Sequence, residues 1–375
     1  MKISNLRRLN VAFTLGLTAF SIFTTIAISP ASALNTEGQG EPILYQSTYA
    51  DGERGTFSKQ ETFDKNAQIV RVGIEPTSVY SIDIAKGIWS ANFYIWWRWS
   101  GDLDPSESTD FTNNADASSL QNITFAYTND SGVPTPMVLS NGDKYQQGFV
   151  RMSFIGNFKL GRYPLDSQSL SMKMESTAYG YEQMVYLWDK ENLSSEKKIP
   201  VSGWKSKSIR TYELVHHYKT NFGDTDSESG SPNYSQIVYT MEIERPQLYF
   251  YLKLLFPLVI ILLAIFSALI VRQLAAKAPL AIASTGLLTA IFSQQSYSQG
   301  LPPNAPAVLM DKIYLVGLIS VLLVFMRVVL RARARTSAQH LSDTHNFMGR
   351  PSDLIFAAAM FASFITATFL LITFY

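Results

Sequence analysis

The chain has 375 residues, 47% of them hydrophobic, no cysteine and a formal net charge of +1. That near-neutral total hides a split: residues 34–248 hold 27 acids and 19 bases, whereas the remainder holds 3 acids and 12 bases. The acidic front half argues against nucleic-acid binding, the lack of thiols excludes a disulfide framework and a cysteine nucleophile, and the split places the two halves in different surroundings.

The first 33 residues read as a secretory signal peptide. Lys2, Arg7 and Arg8 form a positive start, an apolar run follows from Val11 to Ile28, and Ala31-Ser32-Ala33 is a small-x-small cleavage site. An uncleaved anchor helix is the other reading of this stretch. An exported chain without disulfides must hold its outer domain by packing, by partners, or by both.

Residues 34–246 show short alternating runs between turn signals. Ile69–Ile74, Phe93–Trp99, Gln147–Phe154, Ser169–Glu175 and Ser235–Glu242 alternate, and turn clusters at Asn129–Gly132 and Ser140–Asp143 separate strands. Many short strands without a long helical pattern predict an all-β, immunoglobulin-like sandwich. The run FYIWWRW puts Trp97 and Trp99 on one strand face and Trp96 and Arg98 on the other. Sandwich core is the ordinary use of such rings. Thr220–Asn233 is rich in Gly, Ser and Asp and predicts a long hairpin tip of the kind that closes on ligands. His216 and His217, on the strand before it, carry groups that titrate near neutral pH.

Four apolar segments occupy residues 247–375, at about 249–271, 279–299, 307–330 and 354–375. The first, third and fourth are long enough to cross a bilayer as helices. Arg272 and Lys277 follow the first segment, and Arg327, Arg331, Arg333, Arg335 and Arg350 precede the fourth. The positive-inside rule puts both clusters in the cytoplasm and the front half outside, at the plasma or inner membrane, in contact with lipid. The second segment is too polar for a lipid-facing helix. Ala281, Thr285, Leu288, Phe292, Gln295 and Gln299 recur at intervals of four and three, which is one helical face. A ring of such faces encloses a pore with a constriction at Leu288 and Phe292. A small-residue packing face is the alternative.

One loop draws these halves together. Residues 161–170 read GRYPLDSQSL, and Arg245-Pro246 stands just before the first apolar segment. This loop, the Arg-Pro junction, the four apolar segments and Leu301-Pro302 come in an order that resembles the pentameric ligand-gated ion channels, the Cys-loop receptor family, in its prokaryotic form. Animal members close the loop with a disulfide. Here the bracketing positions are Gly156 and Leu170. The resemblance covers about residue 40 to the end and implies a sandwich followed by a four-helix transmembrane bundle in a homopentamer. It implies a pore lined by the second helix for permeant inorganic ions, gated by a small molecule or by protons bound at outer-domain interfaces.

The resemblance also assigns residues. By position, Trp97 and Trp99 match one side of an aromatic ligand site; Tyr179, Tyr181 and Tyr234 match the other, with Tyr127 a weaker match because the motif usually preceding it is missing. Asp83, Lys86, Gly87, Tyr163, Pro164, Asp166, Arg245 and Pro302 fall at positions that couple binding to the pore. Arg245 is the expected partner of Asp166, Asp83 a second candidate for that cluster, and Tyr163-Pro164 a candidate cis step. The acidic ring of cation-selective members is absent. Lys277 stands at the pore mouth and opposes cations, whereas the acidic outer domain attracts them, and we lean slightly to cations. The missing ring and bulky Phe292 also suit a non-conducting membrane sensor of the same architecture. No metal-ligand spacing or Gly-rich phosphate loop occurs, so no enzyme, cofactor or metal is expected. The SDTH run at 342–345 reads as a solvated connector.

Overall fold

Alternation of apolar and polar residues dictates strands, and the strands are longer than the sequence pattern alone suggests. The computed structural model describes residues 45–47, 66–115, 122–192, 199–223, 233–270, 277–337 and 351–374. The expected signal peptide, the 342–345 run and most of the hairpin tip lie outside these residues.

Among the described residues the front half has strands β1 (Tyr45–Ser47), β2 (Gln68–Asp83), β3 (Ile88–Trp99), β4 (Thr109–Phe111), β5 (Ile123–Phe125), β6 (Met137–Val138), β7 (Lys144–Ile155), β8 (Ser167–Ser176), β9 (Met184–Trp188), β10 (Lys205–His217) and β11 (Asn233–Glu244), with one short helix, α1 (Pro105–Ser108). Asp104 caps α1 through the backbone N–H of Ser106. One sheet runs β1-β10-β11-β8-β4; the other runs β5-β7-β3-β2-β9, with β6 also on β7. All pairings are antiparallel except β2 with β9. The core between the sheets takes Trp89, Phe93, Trp97 and Phe154 from one and Met172, Met174, Tyr239 and Met241 from the other. The turn clusters form as expected. Asn129 accepts from the N–H groups of Ser131 and Val133, and Asn141 from that of Asp143.

The back half holds α2 (Gln247–Ile270), α3 (Lys277–Ser298), α4 (Leu309–Ser337) and α5 (Pro351–Phe374). α2, α5 and the Leu309–Arg331 part of α4 are long and apolar enough to cross a membrane. α3 is not, because its polar residues dilute it. Near its start α2 widens into a π-helical stretch, Phe250–Leu255, just before Pro257. Proline has no N–H to bond four residues back and its ring crowds that carbonyl, so a widened turn there has a local cause. Apolar stripes at spacings of three and four carry the packing: Leu258, Leu262, Ile265 and Leu269 on α2, and Ala357, Met360, Phe364, Ala367 and Leu371 on α5. Gly286 of α3 lies so close to α2 that a Cβ there would stand 2.2 Å from Cγ1 of Ile265.

The chain divides into two compact units. One is the sandwich, to residue 159 and again from Ser167 to Pro246; the other joins Leu160–Asp166 to the helices. The sequence reading assigned 160–166 to the front domain.

Candidate functional site

α3 presents two different faces. Ala283, Ala290 and Tyr297, seven apart, are buried, and Gly286 between them meets α2. Ala281, Thr285, Leu288, Phe292, Gln295 and Gln299, the last just past the helix end, are all exposed in the single chain. Leu288 is 53% and Phe292 63% exposed, across the helix from the buried Ala283, Ala290 and Tyr297. α3 therefore uses its small residues for packing and leaves the six expected positions uncovered. Lys277 is the first residue of this helix.

The 160–166 loop has a definite task within the helical unit. Val308, at the N-cap of α4, has no side chain able to satisfy the first N–H groups of the helix. The carbonyls of Gly161 and Tyr163 accept from Leu309 (2.9 Å) and Met310 (3.2 Å), and Asp311 Oδ2 accepts from Val308 (2.9 Å). The Tyr163–Pro164 bond is cis. Tyr163 and Asp166 are buried, and Pro302 opens the turn closed by the N–H of Ala305.

The sandwich closes the ends of this loop without a covalent link. The side-chain amide of Gln168 accepts from the Lys159 N–H at 2.8 Å and donates to the Lys159 carbonyl at 2.9 Å. This double bond-pair, formed by a side chain that is 2% exposed, ties the two ends of the loop together. Among the described residues Asp83 bonds within its own turn. It accepts from the Lys86 N–H at 3.0 Å and pairs with the Lys86 ammonium at 3.2 Å, closing a turn that Gly87 completes at φ 70°. The Lys86 N–H, and then its ammonium, hold the Asp83 carboxyl below its ordinary value. The Arg245 guanidinium lies 4.2 Å from the ring centre of Trp204.

The expected aromatic site is divided by the fold. Trp97 and Trp99 are 0% and 2% exposed and belong to the core, because alternation along β3 turns them inward, so their rings are not open to a ligand outside the sandwich. The outward pair, Trp96 and Arg98, both donate to Asp189 at 3.0 Å. Tyr127 packs on Tyr145, ring centres 5.9 Å apart, its backbone held by the buried Gln146. Tyr179 packs partly against the core. Tyr181 is tied by its N–H to the Asn233 carbonyl, next to Tyr234.

Tyr234 belongs to a cluster that the sequence reading only half identified. Its ring meets Tyr218 edge-on at 5.6 Å; Tyr218 in turn meets Phe222 at 5.0 Å and His216 at 4.2 Å. Beneath them lies Glu175, 3% exposed. It accepts from the Tyr218 hydroxyl at 3.0 Å and from Gln236, and is bonded to His216 Nδ1. Burial, then the Glu175 charge, push the Tyr218 hydroxyl well above its ordinary range. His216 is thus the packed histidine, while His217 is exposed and bonded to Asn233. Glu175, Tyr218, Phe222 and Gln236 went unnoticed in the sequence. The sequence carried no signal for Glu175, because Ser171, Lys173 and Glu175 continue the polar side of the alternation; only the structure buries Met174, Glu175 and Ser176 in succession.

No family model matches the chain. It is similar to the gamma-aminobutyric acid receptor subunit pi of Bos taurus, 27% identical over 120 residues, which is 32% of this chain and 25% of that relative. The matched stretch is thus about a quarter of the relative's length. With a strand-rich front half and, among the described residues, three helices long and apolar enough to cross a membrane, this points to a membrane protein with a distant likeness to a receptor subunit.

Proposed function

We propose that this chain is one subunit of a ligand- or proton-gated ion channel, a homopentamer whose α3 helices line a central pore through the plasma or inner membrane, with the sandwich outside. The observation that carries the reading is the α3 face. Six positions at helical spacing are exposed in the single chain although the opposite face is packed, and their series of small, apolar and polar groups suits a water-filled path with an apolar constriction. All four long helices cross the membrane in this reading, α3 being shielded from lipid by its neighbours.

The agonist site lies at the cluster of Glu175, Tyr218, Phe222 and Tyr234, completed by a neighbouring subunit. A buried carboxylate under aromatic rings favours a protonated amine. The relative is named a receptor for gamma-aminobutyric acid, a compound with such a group. Asp83, Lys86, Gly87, Tyr163, Pro164, Asp166, Arg245 and Pro302 are proposed to couple binding to the pore.

The test is current through liposomes holding the purified chain, during steps of pH and addition of small primary amines, with the reversal potential read under an ion gradient. Gated current supports the channel, and the sign of the reversal potential decides between the Lys277 ring and the acidic outer domain. Leu288→Ser wets the constriction and favours the open state, shifting the response to lower agonist by roughly tenfold, the ratio set by about 1.4 kcal/mol. Silence from both the natural chain and the Leu288→Ser variant, with pentamers present, overturns conduction in favour of a sensor.

A further inference from the structure

The C-terminal half of α3 is joined to α4 by more than packing. Tyr297 donates its hydroxyl to Asp311 Oδ1, and one turn earlier on the same side Ser293 shares a 2.7 Å hydrogen bond with the Tyr314 hydroxyl. The two tyrosine rings stack between these bonds, centres 5.0 Å apart and planes 24° from parallel. Tyr297 is 7% and Tyr314 1% exposed, so both hydroxyls depend on these partners. Asp311 is used twice: its other oxygen holds the Val308 N–H at the start of α4, beside the N–H groups taken by the 160–166 loop. The N-terminal half of α3 has a different contact, Gly286 against Ile265 of α2, which is apolar and non-directional.

We propose that Asp311 is a positioning residue, which with Tyr297, Ser293 and Tyr314 clasps the C-terminal half of α3 to the capped end of α4, so that this half moves with α4 while the other half slides on α2. The four side chains form two directional bonds at adjacent turns, which resist both rotation and translation of α3 about its own axis. One bond alone would leave rotation free. The exposed positions Phe292 and Gln295 flank Ser293, so the clasp fixes how they are presented. The bearing of this on gating rests on the channel reading; the clasp itself does not.

The chain has no cysteine, so one introduced thiol carries one spin label per subunit. Labels at Gln295 and at Ala281 are compared in the full-length protein in lipid, with and without Tyr297→Phe, which removes only the hydroxyl. The ratio of mobile to immobile label at 295 is expected to rise roughly tenfold, as loss of a hydrogen bond to a charged acceptor implies, with no change at 281. Ser293→Ala gives a smaller rise at 295. The double variant gives less than the product of the two, because either bond alone has already lost the rotational restraint. Equal change at 281 and 295, or none at either, overturns the clasp. Asp311→Ala also loosens the start of α4, and a label at Met310 separates that effect: it responds to Asp311→Ala and not to Tyr297→Phe. If the natural chain passes no current, the channel reading falls while the label comparison still decides the clasp. If current flows, Tyr297→Phe alters the agonist concentration for half-response and leaves the reversal potential unchanged.

Discussion

Glu175 in the sandwich and Asp353 in the helices are both carboxylates buried to within 3% of full burial, yet they are answered differently. Asp353, near the start of α5, faces Arg327 Nε at 3.1 Å and Arg331 Nε at 3.4 Å, and Arg331 also donates to the Leu269 carbonyl of α2 at 2.9 Å. Its charge is spent on two guanidinium groups from α4. Glu175 is held by an imidazole, an amide and a phenol, groups able to yield to an incoming cation. The lesson is that burial alone does not mark a site. A buried acid closed by fixed cations is a staple, whereas one closed by an imidazole, an amide and a phenol beneath aromatic rings is the one proposed above to meet a ligand.

The largest effect that tests this contrast is Asp353→Ala. It strands two arginines at the end of the helices and is expected to cost about 3–5 kcal/mol, read as a loss of thermal stability of the solubilised protein. Replacing Asp353, Arg327 and Arg331 together by Leu and Met should recover most of it. A single variant as stable as the natural chain would remove the staple.

Glu175→Gln should do the reverse, weakening amine binding by about 1.5–3 kcal/mol with little loss of fold, since the amide oxygen still accepts from Gln236 and the amide NH2 can donate to the Tyr218 hydroxyl oxygen. Calorimetric titration with gamma-aminobutyric acid and with simple alkylamines reads it. Trp97→Leu is the control, because it should lower the melting temperature and leave amine affinity alone. A Trp97 variant that is stable but no longer binds would return that tryptophan to the ligand site.

Gln168→Ala removes both bonds to Lys159 at once, for about 2 kcal/mol. Urea unfolding of the full chain, followed by tryptophan fluorescence, measures it. Restored stability with Gln168→Asn is not expected, since the shorter side chain cannot reach both groups.

The smallest effect belongs to Asp83. Its carboxyl is lowered in the folded state, so the stability it adds is present above its ordinary value of 3.8 and fades as pH falls through the lower folded value. The Asp83–Lys86 pair is exposed, so Asp83→Asn should lower stability at neutral pH only slightly, leave it unchanged at the acid end, and so flatten the acid limb of the curve a little. A large neutral loss would mean that Asp83 does more than close its own turn.

Much of this was readable from the chain alone. Alternation in β2, β3, β7, β8 and β11, the glycine turns, the apolar length of three helices and the spacing of the exposed α3 face are all local or periodic, and neighbouring residues determine them. What the tertiary structure alone decided is which partner each polar group meets. Trp97 and Trp96 differ by one position in a strand, and only the placement of the second sheet turned the first into core and left the second to Asp189. Glu175 lies 41 residues from His216 and 61 from Gln236, and Asp353 lies 26 from Arg327. No local pattern encodes such pairings, because a buried charge is satisfied through space, by whichever donors the folded chain brings within about 3 Å.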